Sequence, residues 1–291
     1  MKHIDFLRQA TAIEVATYRR FVKMHGLQNH FVIIDQRHTP APIDKEDVVR
    51  ICNPHIGVGG EQLLAIEAAS EAAREAGAYA RMRIFNIDGR EVGACGNATR
   101  CVAHLLFEES GTDDLLIETA AGLLSCQKAG PMRVRVTFGA IDMDWRSLPL
   151  TREVDTLHLP LESGPLRDGV ALSIGTPHAV FFVDDLGATD VTRYAPAIQH
   201  DPLFVEGTNV GVAEIVDDTT LRLVVWERPG ILTKACGTGA CVAVQAALNR
   251  GLIASRQVTV HLPAGPLEIE IRSDDVAVMT GPVAYCCHGF V

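Results

Sequence analysis

Positive charge is scarce in this sequence. Its 26 Lys and Arg stand against 36 Asp and Glu, leaving a formal charge of −10 over 291 residues and a pI near 5.5. A general nucleic-acid binder needs a basic surface to displace counterions from phosphate, so no nucleic-acid partner is expected. Any anionic ligand must be held locally, by backbone amides or a few placed cations. A hydrophobic leader is also lacking: MKHIDFLRQATAIEVATYRR mixes charge through every turn and reads as neither a signal nor a transit peptide. No apolar run reaches membrane-spanning length, so no membrane partner and a cytoplasmic location are expected. Aromatic residues make up only 5%, yet 47% of the chain is hydrophobic and 21% charged. That balance suits a soluble protein with one large core or two ordinary ones, and excludes disorder and short disulfide scaffolds.

Eight cysteines are present. No Cys-x-x-Cys pair has a second ligand pair at zinc-finger spacing, and neither GVGG (57–60) nor CGTG completes a phosphate-loop or dinucleotide pattern. No metal and no cofactor are expected. Without a secretion signal the thiols should stay free. A Cys95 to Cys236 disulfide is therefore not expected in the cytoplasm, although close thiols oxidise in air and silence an enzyme.

An internal repeat organises the chain. Residues 94–103 read ACGNATRCVA and residues 235–243 read ACGTGACVA, and one gap aligns them. A second pair, GLQNHFVIID (26–35) and GTPHAVFFVD (175–184), repeats at a similar offset of about half the chain. Two unrelated segments sharing one period imply duplication and two similar domains. No Pro, Gly or Ser run forms a flexible linker.

The local patterns predict a strand-rich chain with few helices. Strands are expected over 30–34, 82–85, 132–138, 221–226, 257–262, 267–271 and 276–279. Helices are expected over 44–51, capped by Asp44, and over 68–76. Two more, 101–109 and 240–249, follow the ACG motifs, the second stopping at Gly251. A short amphipathic helix is expected within the first twenty residues.

A cysteine at a helix N-terminus feels the positive end of the dipole and unpaired amides, which lower a thiol pKa and favour a thiolate able to act as a base. The amides of Gly96 and Asn97, and of Gly237 and Thr238, suit a carboxylate. Two such helix starts brought face to face would suit removal of an α-proton on one side and its return on the other. The other six cysteines, Cys52, Cys101, Cys126, Cys241, Cys286 and Cys287, are expected to be small buried packing residues. A cysteine hydrolase would need a histidine paired to a thiol, and no feature singles one out.

The segments NIDGREVGACGNATRC (86–101) and ERPGILTKACGTGAC (227–241) resemble the two signatures of the diaminopimelate epimerase family. The resemblance extends through KMHGLQNHFVIID, GEQLL, GTNVGVAEI and MTGPVAY, over about residues 22–285. It implies an α+β fold of two pseudo-symmetric domains, each a curved, mostly antiparallel sheet around a central helix, with the active site in a cleft between them. The domains would be 1–140, with 1–21 an extension and 282–291 returning to it, and 141–281. The implied activity is cofactor-independent inversion of an amino-acid α-carbon, with a small-molecule amino-acid substrate and a homodimer as the possible assembly. Carried over, Cys95 and Cys236 would be the acid and base thiols, and Gly96, Asn97, Gly237 and Thr238 would bind the reacting carboxylate. Asn29 and Gln62 match contacts near the reacting amine, and His178 matches the active-site histidine. Asn86, Asn209, Glu227 and Arg228 match positions that recognise the distal amino-acid end.

Departures from the family pattern cluster around the substrate. Gln28 and His30 flank Asn29 where Gly and Asp are usual, Gly60 and Glu61 precede Gln62 where Phe-Asp is usual, and Thr176 replaces an Asn that would contact a distal carboxylate. Pro229 to Thr233 read PGILT in place of Gly-x-Gly-Glu-Thr. The expected activity is interconversion of LL- and meso-diaminopimelate for lysine and cell-wall precursors. The alternatives are a racemase of another amino acid, such as histidine, and a non-catalytic amino-acid binder. Relatives of proline racemase use similar cysteines, but Asn97 after Cys95-Gly96 and Ala235 before Cys236 fit the epimerase pattern better.

Overall fold

The computed structural model describes residues 2–8, 18–93, 95–228 and 230–291, which form two compact units, Met1–Val136 with Gly281–Val291, and Thr137–Thr280. Unit 1 opens with α1 (His3–Arg8), a short helix that buries Ile4, Phe6 and Leu7. This is part of the amphipathic helix expected near the start; Met1 and residues 9–17 lie outside the described residues, as do Ala94 and Pro229 of the motifs.

The strands β1 (Arg20–Gly26) and β2 (Asn29–Asp35) form a hairpin. After α2 (Lys45–Cys52), β3 (Gln62–Glu67) joins β2 in parallel. Asp44 caps α2 as expected, its carboxylate accepting the Asp47 N–H at 2.7 Å. The short α3 (Glu71–Glu75) leads to β4 (Ala78–Asn86), antiparallel to β3, and β5 (Glu91–Val92) lies beside β4. The helix α4 (Gly96–Ser110) follows, ended by Gly111 in the left-handed region at φ 71°. Then β6 (Asp114–Thr119) runs parallel to β4 and pairs with β7 (Gly122–Lys128). The chain leaves unit 1 along β8 (Arg133–Ala140).

Unit 2 repeats this plan. Behind β9 (Leu159–Ser163), β10 (Leu166–Ser173) and β11 (Pro177–Phe182) form a hairpin. The helix α5 (Val191–Gln199) leads to β12 (Asn209–Asp217), parallel to β11, and β12 turns into β13 (Thr220–Glu227). The short β14 (Ile231–Thr233) lies beside β13, α6 (Gly237–Asn249) follows, and β15 (Gln257–Leu262) runs parallel to β13 before pairing with β16 (Gly265–Ile271). The chain leaves along β17 (Val276–Pro282), and β18 (Ala284–Phe290) returns to pair with β1. In each unit, then, a hairpin, a parallel join, a second hairpin, a short flanking strand, a helix, a parallel join and a third hairpin follow in the same order.

Both long helices are enclosed. Every residue from Gly96 to Phe107 is buried in α4, which packs against β1, β2, β4, β6 and β7. In α6, Gly237 and Gly239–Ala247 are buried, and the helix meets β10, β11, β12, β13 and β16. One helix that touches strands across a whole sheet requires that sheet to curve around it. Small residues permit the close approach: α6 reads GTGACVAVQAALN, apolar on every face. The expected fold class, α+β with curved and mostly antiparallel sheets around central helices, is the one observed within each unit.

Both tryptophans, Trp145 and Trp226, pack against the core of unit 2, which contains the fully buried Phe181. Tryptophan fluorescence therefore reports unfolding of that unit. Phe181→Ala is expected to lower its stability by about 3–5 kcal/mol, through lost burial and the cavity left behind, measured by urea titration of the tryptophan signal.

Candidate active site

The two helix starts carry the two expected cysteines. Cys95 is the N-cap of α4, with extended backbone at φ −151° and ψ 112°, and Cys236 is the N-cap of α6 at φ −122° and ψ 106°. Helical geometry starts one residue later, at Gly96 and Gly237, so each thiol stands beside first-turn amides that point out along the axis. The pattern predicts the helix after the first ACG motif from residue 101; α4 starts at Gly96, because enclosure by the sheet overrides the weaker helix propensities of Gly96, Asn97 and Thr99.

In unit 1 the hairpin between β1 and β2 sets Asn29. Its two-residue turn, Leu27 and Gln28, has positive φ at both positions, 52° and 61°, a conformation ordinarily left to Asn or Gly. The Gln28 N–H donates to His25 Nδ1 at 3.3 Å across that turn. Asn29 Oδ1 accepts from Asn97 Nδ2 at 3.2 Å and lies 4.0 Å from Cys95 Sγ, while its Nδ2 donates to Glu61. His30 Nδ1 lies 3.7 Å from the same Glu61 carboxylate. Gln62 Nε2 donates to Asn86 Oδ1 at 2.8 Å, and its own Oε1 is buried with no hydrogen-bond partner among the described residues. Unit 1 thus gathers Asn29, Asn97 and Cys95 in one group and Gln62 and Asn86 in another.

In unit 2, Cys236 Sγ accepts the Gly239 N–H at 3.3 Å and lies 3.4 Å from Thr238 Oγ1. Glu227 holds a hydrogen bond to the same thiol and accepts one from Thr233 Oγ1 at 3.0 Å. The expectation of a depressed thiol pKa does not hold at Cys236. Burial raises it well above the usual thiol range and the Glu227 carboxylate adds to the rise, outweighing the lowering by Thr238 and the Gly239 amide. A Cβ on Gly239 would lie 2.9 Å from Val225 and 3.2 Å from the Cys236 sulfur, so this position is kept bare by contact.

A second cluster in unit 2 centres on His178, which is fully buried. Its Nε2 faces Thr176 Oγ1 at 3.2 Å and Asn209 Nδ2 at 3.5 Å, and its Nδ1 has no hydrogen-bond partner among the described residues. Asn209 Oδ1 accepts the Arg228 N–H at 3.0 Å, and Arg228 Nη1 donates to the Glu206 carbonyl at 3.2 Å. Burial, with Arg228 nearby, lowers the His178 pKa to about 3, so the ring is neutral at ordinary pH. Sequence reasoning noted Glu61 and Thr233 only within departing segments and missed Gln199; in the structure Glu61 accepts from Asn29, Thr233 donates to Glu227, and Gln199 bonds Trp226 and Thr208. Glu61 adjoins the noted Gln62; Gln199, a polar residue inside a helix, carries no sequence signal.

Of the six cysteines expected to pack, Cys52, Cys101, Cys126 and Cys241 are buried. Burial pushes the Cys52 and Cys126 thiols up to about 11 and about 12. Cys286 and Cys287 are exposed, a correction explained by a bulge in β18: Lys23 pairs with Cys287 and Met24 with Tyr285, leaving Cys286 as the extra residue on the surface. Among the described residues no cluster of three or more His, Cys, Asp or Glu could hold a metal ion, and no helix is long and apolar enough to cross a membrane.

Comparison with known proteins shows the family and the fold. The diaminopimelate epimerase family model matches residues 21–143 and 170–286. A diaminopimelate epimerase from Acidiphilium cryptum is 45% identical over 275 residues, covering 94% of this chain and 97% of the relative. One from Rhodospirillum centenum is 43% identical over 266 residues, covering 91% and 90%. Among solved structures, a phenazine biosynthesis protein of the PhzF family from Bacillus anthracis shares the fold, with a TM-score of 0.67 at 17% identity, covering 94% of this chain and 99% of that one.

The state of His178 has a measurable consequence. Unfolded, the ring takes a proton near its ordinary pKa of 6.5; folded, it resists until about 3. Between those values the unfolded state binds more protons, so stability is fully present above pH 6.5 and falls as pH drops, by up to about 1.4 kcal/mol per pH unit. His178→Asn should flatten that slope between pH 6.5 and 5, measured as urea-unfolding free energy against pH.

Proposed function

The chain belongs to the diaminopimelate epimerase family, and from that premise we propose that Cys95 and Cys236 invert the α-carbon of LL-diaminopimelate to give the meso form, as a step of lysine and peptidoglycan-precursor synthesis. It is an isomerase. The observation that carries the assignment of roles is the repeat itself: each unit presents one cysteine as the N-cap of its enclosed helix.

In the proposed reaction one thiolate takes the α-proton and becomes a thiol, and the other thiol gives its proton to the opposite face of the carbanion and becomes a thiolate. Charge balances, and the protonation pattern is inverted after each turnover. The amides of Gly96, Asn97, Gly237 and Thr238 hold the α-carboxylate, where charge builds up as the proton leaves. Asn29 and Gln62 contact the reacting amine. Neutral His178, with Thr176, belongs to the same substrate pocket; Asn86, Asn209, Glu227 and Arg228 take the distal amino acid, where a guanidinium and a carboxylate match its two charges. The proposal includes a cytoplasmic location, which eight free thiols favour, and a homodimer, which light scattering tests.

Reduced protein incubated with LL-diaminopimelate in heavy water is expected to form the meso isomer with deuterium at the α-carbon. Cys95→Ala and Cys236→Ala should each abolish net inversion, by at least about 10³-fold. Absence of exchange in the reduced wild type would overturn the assignment. A panel that includes histidine separates it from a racemase of another amino acid, and indifference of both cysteine variants would leave only a binder.

A further inference from the structure

The clusters around His178 and Cys236 share a support that takes no part in the proposed chemistry. Gln199 ends α5 and is 1% exposed. Its Oε1 accepts the indole N–H of Trp226 at 3.0 Å, and its Nε2 donates to the Thr208 carbonyl at 3.4 Å. Its own backbone carbonyl accepts the Thr208 N–H at 3.3 Å. Gly207, at φ 71°, passes so close that a Cβ there would sit 2.9 Å from that carbonyl oxygen. One residue therefore grips two segments. Thr208 directly precedes Asn209, and Trp226 directly precedes Glu227 and Arg228. The two segments also meet each other, through Asn209 Oδ1 and the Arg228 N–H.

We propose that Gln199 is a positioning residue for distal amino-acid recognition, holding the Asn209 strand start and the Trp226–Arg228 strand end in register so that both close on one ligand group. The inference rests on the roles proposed above for Asn209, Glu227 and Arg228. A primary amide suits the task because it accepts at one end and donates at the other, matching an indole N–H and a peptide carbonyl. Enclosure makes the match strict: a buried group that loses its partner forfeits its hydration as well as its bond. The residue lies on unit 2 with the distal cluster, and no bond links it to Cys236, so its loss should weaken binding more than proton transfer.

The test uses the full-length reduced enzyme with Trp145→Phe, so that Trp226 alone fluoresces. Gln199→Met keeps length and apolar bulk but removes both bonds. It is expected to raise KM about tenfold for LL-diaminopimelate, or for whichever amino acid exchanges its α-proton, to change kcat by less than about threefold, and to shift Trp226 emission to the blue as the indole loses its polar partner. Gln199→Glu supplies a second, independent arm. Protonated, its carboxyl reproduces both the acceptor and the donor; ionised, it can only accept, and it opposes the Thr208 carbonyl. Its KM should approach the wild-type value at acid pH and rise as pH increases, a dependence that mere space-filling does not produce. An unchanged KM in Gln199→Met, a fall in kcat alone, or a pH-independent KM in Gln199→Glu overturns the proposal. A wild type that exchanges no amino acid overturns the function itself, and is distinguished from failure of Gln199 by that control.

Discussion

A helix with no face open to solvent is the constraint on which the rest depends. From Gly96 to Phe107, α4 buries every residue, and α6 buries all but one from Gly237 to Ala247. Such a helix has only its ends for polar chemistry. The sheet must curve to cover it, which is why β1 and β7 both reach α4 although no pairing joins these two strands among the described residues. Small side chains follow from the same demand, since Ala, Gly, Cys and Thr let strands approach on all sides. The N-terminus becomes the place where unpaired amides and the positive end of the dipole collect, and in both units a cysteine stands there.

Enclosure also sets the electrostatic competition at that place. A helix N-terminus favours an anion by about 0.3–1 kcal/mol at exposed sites and up to about 2 kcal/mol when partly buried. Full burial can move a titrating group by several pH units the other way. At Cys236, 6% exposed and beside Glu227, burial wins and the resting thiol is neutral. At His178 the same physics acts on a base, and the ring stays uncharged beside Arg228. The buried surroundings of unit 2 thus hold neutral groups next to Glu227 and Arg228.

What could be read from sequence follows the same physics. β15 was legible to its ends because QVTVHL alternates buried and open positions. β3 and β11 were not, because QLLAIE and PHAVFF bury consecutive residues and lose the two-residue period that marks a strand. Pro196 reads as a helix breaker, yet α5 runs through it. The family's α+β fold and the helix N-cap position of the two cysteines were legible, since a repeat and a motif are properties of order along the chain. Glu61 beside Asn29, Thr233 beside Glu227, and Gln199 between Thr208 and Trp226 were not, because each partnership joins residues that only the folded sheet brings together.

The two halves share topology and differ in electrostatics, and the difference bears on a reaction that must run in both directions. Cys95 is only half-buried and shares Asn29 with Asn97, whereas Cys236 is enclosed by Glu227, Thr238 and the Gly239 amide. An empty site that holds Cys236 as a thiol holds a ready acid and a reluctant base. The proposed substrate itself supplies what shifts that balance. An amino acid brings ammonium groups, and a cation set against Glu227 would offset the carboxylate that adds to the effect of burial on the thiol. Neutralising that carboxylate removes only the lesser cause of the raised Cys236 pKa; burial, the larger one, remains until the ligand itself supplies polar partners.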